Sequence, residues 1–183
     1  MPPIPVDRMT PEQREVAQEI ASGRRGAVIG PFVPALRSPE LTRRLQRVGE
    51  YLRYEPALPP KLREMAILLV ARDWDQQFEW DVHAPLAEQA GLARPMIDAI
   101  AEGRRPPSMG RDEALVYHFY AELQQTRAVS DGTYVEAVGA FGEQGVVDLV
   151  ALIGYYATLA MIMNVARTPL PDGKSGVLRP LAR

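Results

Sequence analysis

The chain reads as an all-α protein folded as one domain, and three observations carry that reading. Apolar residues recur at helical spacing through most of its length, helix-start signals precede those stretches, and no alternating run is long enough for a useful strand. With 183 residues, 46% of them apolar and 24% charged, the chain has the make-up of a globular protein with one core.

The elements follow in order. Thr10 reads as an N-cap, with Pro11 at the first helical position and Gln13 where a capping box needs it, and the helix runs to about Ser22 before Gly23. The loop "GRRGAVIGPFVPALRS" holds Val28, Ile29, Phe32, Val33 and Leu36, too apolar for a solvated connection, so it is expected to pack on the body over a pocket. Ser38-Pro39 starts a helix with Leu41, Leu45, Val48 and Leu52 at helical spacing, which "PALPP" ends. "PKLREMAILLVARDW" is apolar almost all round and is predicted to be the central helix. Asp73 or Asp75 can cap the next helix, which Gly91 closes. A short helix in "RPMIDAIAEG", amphipathic helices in "RDEALVYHFYAELQQTR" and "DGTYVEAVGAFGE", and an apolar helix over 146–166 complete the body. Residues 1–9 are expected to be flexible, and residues 168–183 to form an extended arm.

Several function classes drop out. A net charge of -2 gives no basic footprint for nucleic acid. Without cysteine there is no disulfide, thiolate metal site or thiol redox couple. The N-terminus lacks the basic and apolar regions of a signal peptide. The 146–166 helix contains Asp148 and Asn164 and lacks flanking basic clusters, which suits a buried helix or a subunit contact better than a membrane span. A cytoplasmic protein with no membrane partner is expected.

Chemistry concentrates on one stretch. Glu79 and His83 stand at i and i+4 on one helix face, with Gln76 and Trp80 beside them. A neighbouring carboxylate favours imidazolium while burial opposes it, so such a histidine can exchange a proton near neutral pH. Glu/His pairs at this spacing also occur as plain helix decoration. Glu64 adds weight, because a glutamate inside "LREMAILLVA" is either on an exposed stripe or buried with a partner, and Arg63 or Arg72 would serve. His118, among aromatics, reads as a packed or rim histidine.

The spacing Glu64, eleven residues, Gln76, two residues, Glu79, three residues, His83, followed by "APLAEQAGL", resembles the carboxymuconolactone decarboxylase family, which includes the alkylhydroperoxidase D-like proteins. "GPF", "LPPKLREMAILLVAR" and "GYYATLAMIMN" add to the likeness. The resemblance implies an all-α helical bundle that assembles into trimers or hexamers, with an active face at Glu64, Glu79 and His83. In its peroxidase branch two cysteines stand where this chain has Gln76 and Glu79. Neither an amide nor a carboxylate reduces a peroxide, so dithiol chemistry is lost.

The expected activity is therefore acid/base catalysis without a cofactor on a small carboxylated lactone or unsaturated acid. His83 donates the proton, Glu79 orients and charges it, and Glu64 serves as a second acid/base. Trp80, Phe32 and Tyr156 are expected to wall an apolar pocket. Gln76 and Asn164 are further candidate substrate contacts, and Arg72 is placed to meet a substrate carboxylate. Glu64, Glu79 and His83 could in principle hold iron or zinc, but their spacing is neither His-Glu-x-x-His nor Glu-x-x-His, and no metal is expected. A non-catalytic ligand-binding member and a degenerate peroxidase remain as alternatives.

Overall fold

Every residue from Leu62 to Arg72 except Arg63 is buried, which makes α4 (Pro60–Asp73) the axis of the protein. The computed structural model describes residues 1–170, 174 and 176–181 and contains no strand among them. Around α4 pack α5 (Gln77–Gln89), α6 (Arg94–Ala101), α7 (Arg111–Thr126) and α8 (Asp131–Ala166). A helix apolar on all sides can be stable only when it is enclosed on all sides, and these four helices enclose it. The all-α reading therefore holds.

Outside this core, α1 (Pro11–Ser22), α2 (Phe32–Ala35) and α3 (Pro39–Tyr54) form a second layer. The predicted capping box is present: Thr10 Oγ1 accepts from Gln13 N at 3.2 Å, and Thr10 N donates to Gln13 Oε1 at 3.0 Å. Val16 and Ile20 of α1 meet Phe32 and Leu36 in a separate small core, against which Ile4, Met9 and Val28 also pack. The apolar loop thus folds onto the body as expected. Residues 1–9, expected to be flexible, are held there by Ile4 and Met9, and the terminal amine donates to the carbonyl of Ala166.

Two elements differ from their sequence patterns. The buried positions of α3 are Thr42, Gln46 and Gly49, each one position on from the apolar series, together with Leu52 of that series, while Leu41 and Val48 stay exposed. Polar bonding and close packing turned the helix: Thr42 Oγ1 donates to the Ala35 carbonyl, and Gly49 is crossed by the Tyr155 hydroxyl. At α5, neither Asp73 nor Asp75 is the cap. Asp75 sits in the left-handed region (φ 50°) in the tight reversal after α4, and the Gln76 side chain caps by accepting from Phe78 N at 2.8 Å.

The last two predicted helices run on as α8, broken only at Gly142, whose φ of 71° and ψ of 169° interrupt the helix. By length and composition α8 could cross a membrane, yet 56% of its most apolar window is buried inside the protein. Asp148 is satisfied within it by the Tyr51 hydroxyl (3.0 Å) and the Ala57 amide (2.9 Å). The extended arm returns over α5. Gln77 Nε2 donates to the Leu178 carbonyl at 2.6 Å, Leu178 N donates to Gln77 Oε1 at 3.0 Å, and Leu178 is buried. Of the arm's residues, 171–173, 175 and 182–183 lie outside the described set.

Gly49 gives a test of this packing. Helix propensity alone favours alanine there by about 1 kcal/mol. A Cβ, however, would run into Tyr155 Oη and Arg25 Nη2, and crowding of this kind costs about 1–3 kcal/mol. Gly49→Ala is therefore expected to lower the thermal midpoint by a few degrees, at roughly 2–4 °C per kcal/mol, and a rise would contradict the packing.

Candidate functional site

The tight turn between α4 and α5 lays the two helices against each other and brings Glu64 to His83. His83 Nδ1 lies 2.7 Å from Glu64 Oε2, and both side chains are buried. This differs from the expected pairing. The carboxylate facing the imidazole comes from the neighbouring helix, while Glu79 has no hydrogen-bond partner among the described residues. Arg63 Nε is 3.7 Å from the other Glu64 oxygen; Arg72 is not a partner.

Glu79 is the unusual group. Both carboxyl oxygens are buried and neither has a hydrogen-bond partner among the described residues. Burial alone drives its pKa well above the ordinary carboxyl range. A lone buried carboxylate is far costlier than a neutral carboxyl, so the group holds its proton. His83 shifts the other way. Burial lowers its pKa, and the hydrogen bond and charge of Glu64 oppose that without reversing it. A neutral imidazole beside a carboxylate carries its hydrogen on Nδ1, which leaves the Nε2 lone pair free.

His83 and Glu79 line one cavity of about 60 Å³. Its other walls include Phe32, Tyr156, Leu159, Arg25 and Arg53. The Tyr156 ring stands edge-on to the imidazole, with centroids 5.0 Å apart. A water's share of liquid volume is about 30 Å³, so the space takes two waters or one small polar group. Glu64 lies behind the imidazole and is absent from the lining. Ile29, Phe78 and Val82 face both this cavity and a groove of about 980 Å³ beside it. Gly30 (φ +57°) makes the close approach of Phe78 possible, since a Cβ at 30 would lie 2.5 Å from the ring.

The sequence-predicted contacts divide. Phe32 and Tyr156 reach the cavity; Trp80, Gln76, Asn164 and Arg72 do not. Trp80 faces the other side of α5, toward Ala84, Ile97 and Ala101. Gln76 Nε2 donates to Asn164 Oδ1 at 2.8 Å, and Asn164 Nδ2 donates to the Trp74 carbonyl at 2.9 Å, so the amide pair ties α8 to the α4–α5 turn. Arg72 points away toward Asp75 and the Ala101 carbonyl (2.8 Å). His118 is at the surface, 3.3 Å from Arg105. Among the described residues, no three His, Asp or Glu side chains cluster to hold a metal ion.

Sequence reading missed Arg25, Arg53, Phe78 and Val82. The apolar loop pointed to the neighbourhood, and Arg25 lies within it. Arg53 carried no signal, because its position depends on the turned register of α3.

The model of the carboxymuconolactone decarboxylase family matches residues 39–122, from the start of α3 into α7, and so includes Glu64, Glu79 and His83. No curated protein matches the chain.

Two measurements check this geometry. Replacing Gln76 with alanine removes a cap and a buried bond, each worth about 1 kcal/mol, and is expected to lower the thermal midpoint without changing ligand affinity. Glu79 gives a pH-dependent test. Its folded pKa is raised, so its contribution to stability is whole below the unfolded value and is lost as pH rises through the folded one. Glu79→Gln, which cannot ionise, should gain stability over the wild type at pH 8 and little at pH 4. Equal differences at both pH values would show that Glu79 is not buried neutral.

Proposed function

We propose that the chain, whose residues 39–122 match the model of the carboxymuconolactone decarboxylase family, is a cofactor-independent proton-transfer enzyme. Its substrate is a small carboxylated lactone or unsaturated acid. One observation supports the reading: a buried carboxyl with no hydrogen-bond partner among the described residues and a carboxylate-held imidazole line the same cavity. Groups with pKa values pushed apart make an acid and a base at one pH.

The roles differ from those the spacing suggested. His83 Nε2 is the base and takes a proton from the carbon beside the substrate carbonyl. The imidazolium that forms is held by Glu64, which positions the ring and balances its charge. Glu79 is the acid and delivers its proton to the far end of the resulting dienolate, which completes an isomerisation. In a decarboxylation, the carbon–carbon bond to the leaving carboxylate breaks, carbon dioxide departs and the bonding pair enters the dienolate. Glu79 then protonates that carbon and is reprotonated from water. Lactone hydrolysis needs the same base, acting on water. Positioned acid/base groups contribute about 10²- to 10⁴-fold in rate each.

The exposed apolar side chains Leu41, Val48, Val147, Val150, Met161 and Val165 support assembly into a homo-oligomer, a trimer or hexamer, as a further part of this proposal.

The rate should be bell-shaped in pH. Activity rises as His83 loses its proton, below the ordinary histidine range, and falls as Glu79 ionises, above the ordinary carboxyl range. His83→Ala is expected to abolish turnover of a carboxylated lactone while leaving the circular dichroism spectrum intact. Glu79→Gln is expected to lower turnover by about 10²-fold or more and to remove the alkaline limb. Turnover that survives in His83→Ala sinks the mechanism. Binding of such acids by the wild type, with no conversion at any pH, would favour the ligand-binding alternative.

A further inference from the structure

Two guanidinium groups face the cavity that holds His83 and Glu79, and neither forms an ion pair among the described residues. Arg25 is the better fixed. Its Nε donates to Gln46 Oε1 at 3.2 Å, its Nη2 donates to Tyr155 Oη at 3.3 Å, and its carbon lies 4.4 Å above the Phe32 ring. These contacts are all to neutral groups, so they orient the cation and leave its charge unmatched. Arg53 enters from α3, and its described contact is the Tyr54 ring at 5.5 Å. Other arginines on this surface behave differently: Arg24 meets Glu55, and Arg43 meets Glu15, Glu19 and Glu40. Both arginines are half-buried, and a guanidinium that faces a cavity with no carboxylate beside it among the described residues is open to an incoming anion.

The surroundings say what kind of anion. The inner cavity of about 60 Å³ has room for one carboxylate-sized head and no more. The adjoining groove, about 980 Å³, is walled by Val28, Ile29, Val33, Phe78, Val82 and Leu170. Its charged side chains are Lys174 and Asp81, paired at 2.8 Å, and Arg167. Ile29, Phe78 and Val82 belong to both spaces, so one molecule can extend from the first into the second.

We infer that Arg25 and Arg53 form the carboxylate seat of the site, and that the ligand is a carboxylic acid with an apolar body lying in the groove beyond Phe78. This rests on the cavity's being the functional site, as proposed above, and narrows its substrate from any small carboxylated molecule to an acid with an apolar body. A carboxylate held by two guanidiniums is stabilised as an anion. It therefore anchors the substrate, and the proton moves at another carbon of the molecule.

Calorimetric titration of the whole chain with octanoate, octanamide and acetate tests the inference, using the wild type, Arg53→Met and Arg53→Lys. Arg53 makes no hydrogen bond that folding requires, so both variants should melt like the wild type. Octanoate is expected to bind at least about tenfold more tightly than either octanamide or acetate, because each lacks one half of the match. Arg53→Met should weaken octanoate by about tenfold or more and leave octanamide unchanged, and Arg53→Lys should recover part of the loss. Octanamide binding as well as octanoate, octanoate failing to bind the wild type, or Arg53→Met binding like the wild type would each overturn the seat. No step of this experiment needs proton transfer. A seat that holds while His83→Ala keeps its turnover would sink the acid/base mechanism alone.

Discussion

His83 and Glu64 are held 2.7 Å apart in the interior. Removing one partner leaves a buried polar group of the other unsatisfied, at about 1–3 kcal/mol. The bond spans α4 and α5, so it fixes their register as well as the imidazole's tautomer. The rest of the site follows from it. With Nδ1 committed to Glu64, the imidazole can offer only Nε2, and Glu79 is left as the sole carboxyl of the trio on the cavity wall.

Glu79 works by the opposite means. It is buried without a partner, and burial keeps it protonated. Two glutamates within one helical hairpin thus meet different surroundings. One accepts a hydrogen bond from imidazole and the other meets none.

The outer layer governs access to this pair. The loop after α1 supplies Arg25, Ile29 and Phe32, and Gly30 lets Phe78 close against it. Gly49 of α3 opens the space that Tyr155 and Arg25 occupy. The small core of Val16, Ile20, Phe32 and Leu36 clamps the loop, so the cavity wall is held by packing. A cation at the end of a packed loop keeps its direction, and that makes a fixed guanidinium selective where a solvated one would be merely attractive.

Much of this was legible in the sequence. The apolar middle of α4 required burial on every side, the Thr10–Gln13 pair required a cap, and the apolar loop required a surface to cover. The spacing of Glu64, Glu79 and His83 singled out three side chains that the fold buries near one another, because helical geometry is written along the chain. Tertiary structure alone decided which carboxylate holds the imidazole, since that contact crosses from one helix to another. It also turned α3 by one position, brought Arg53 to the cavity and sent Arg72 to Asp75. Periodicity states that a helix has an inward face; only packing against real neighbours states where that face points, and protonation follows from what the packing leaves unpaired.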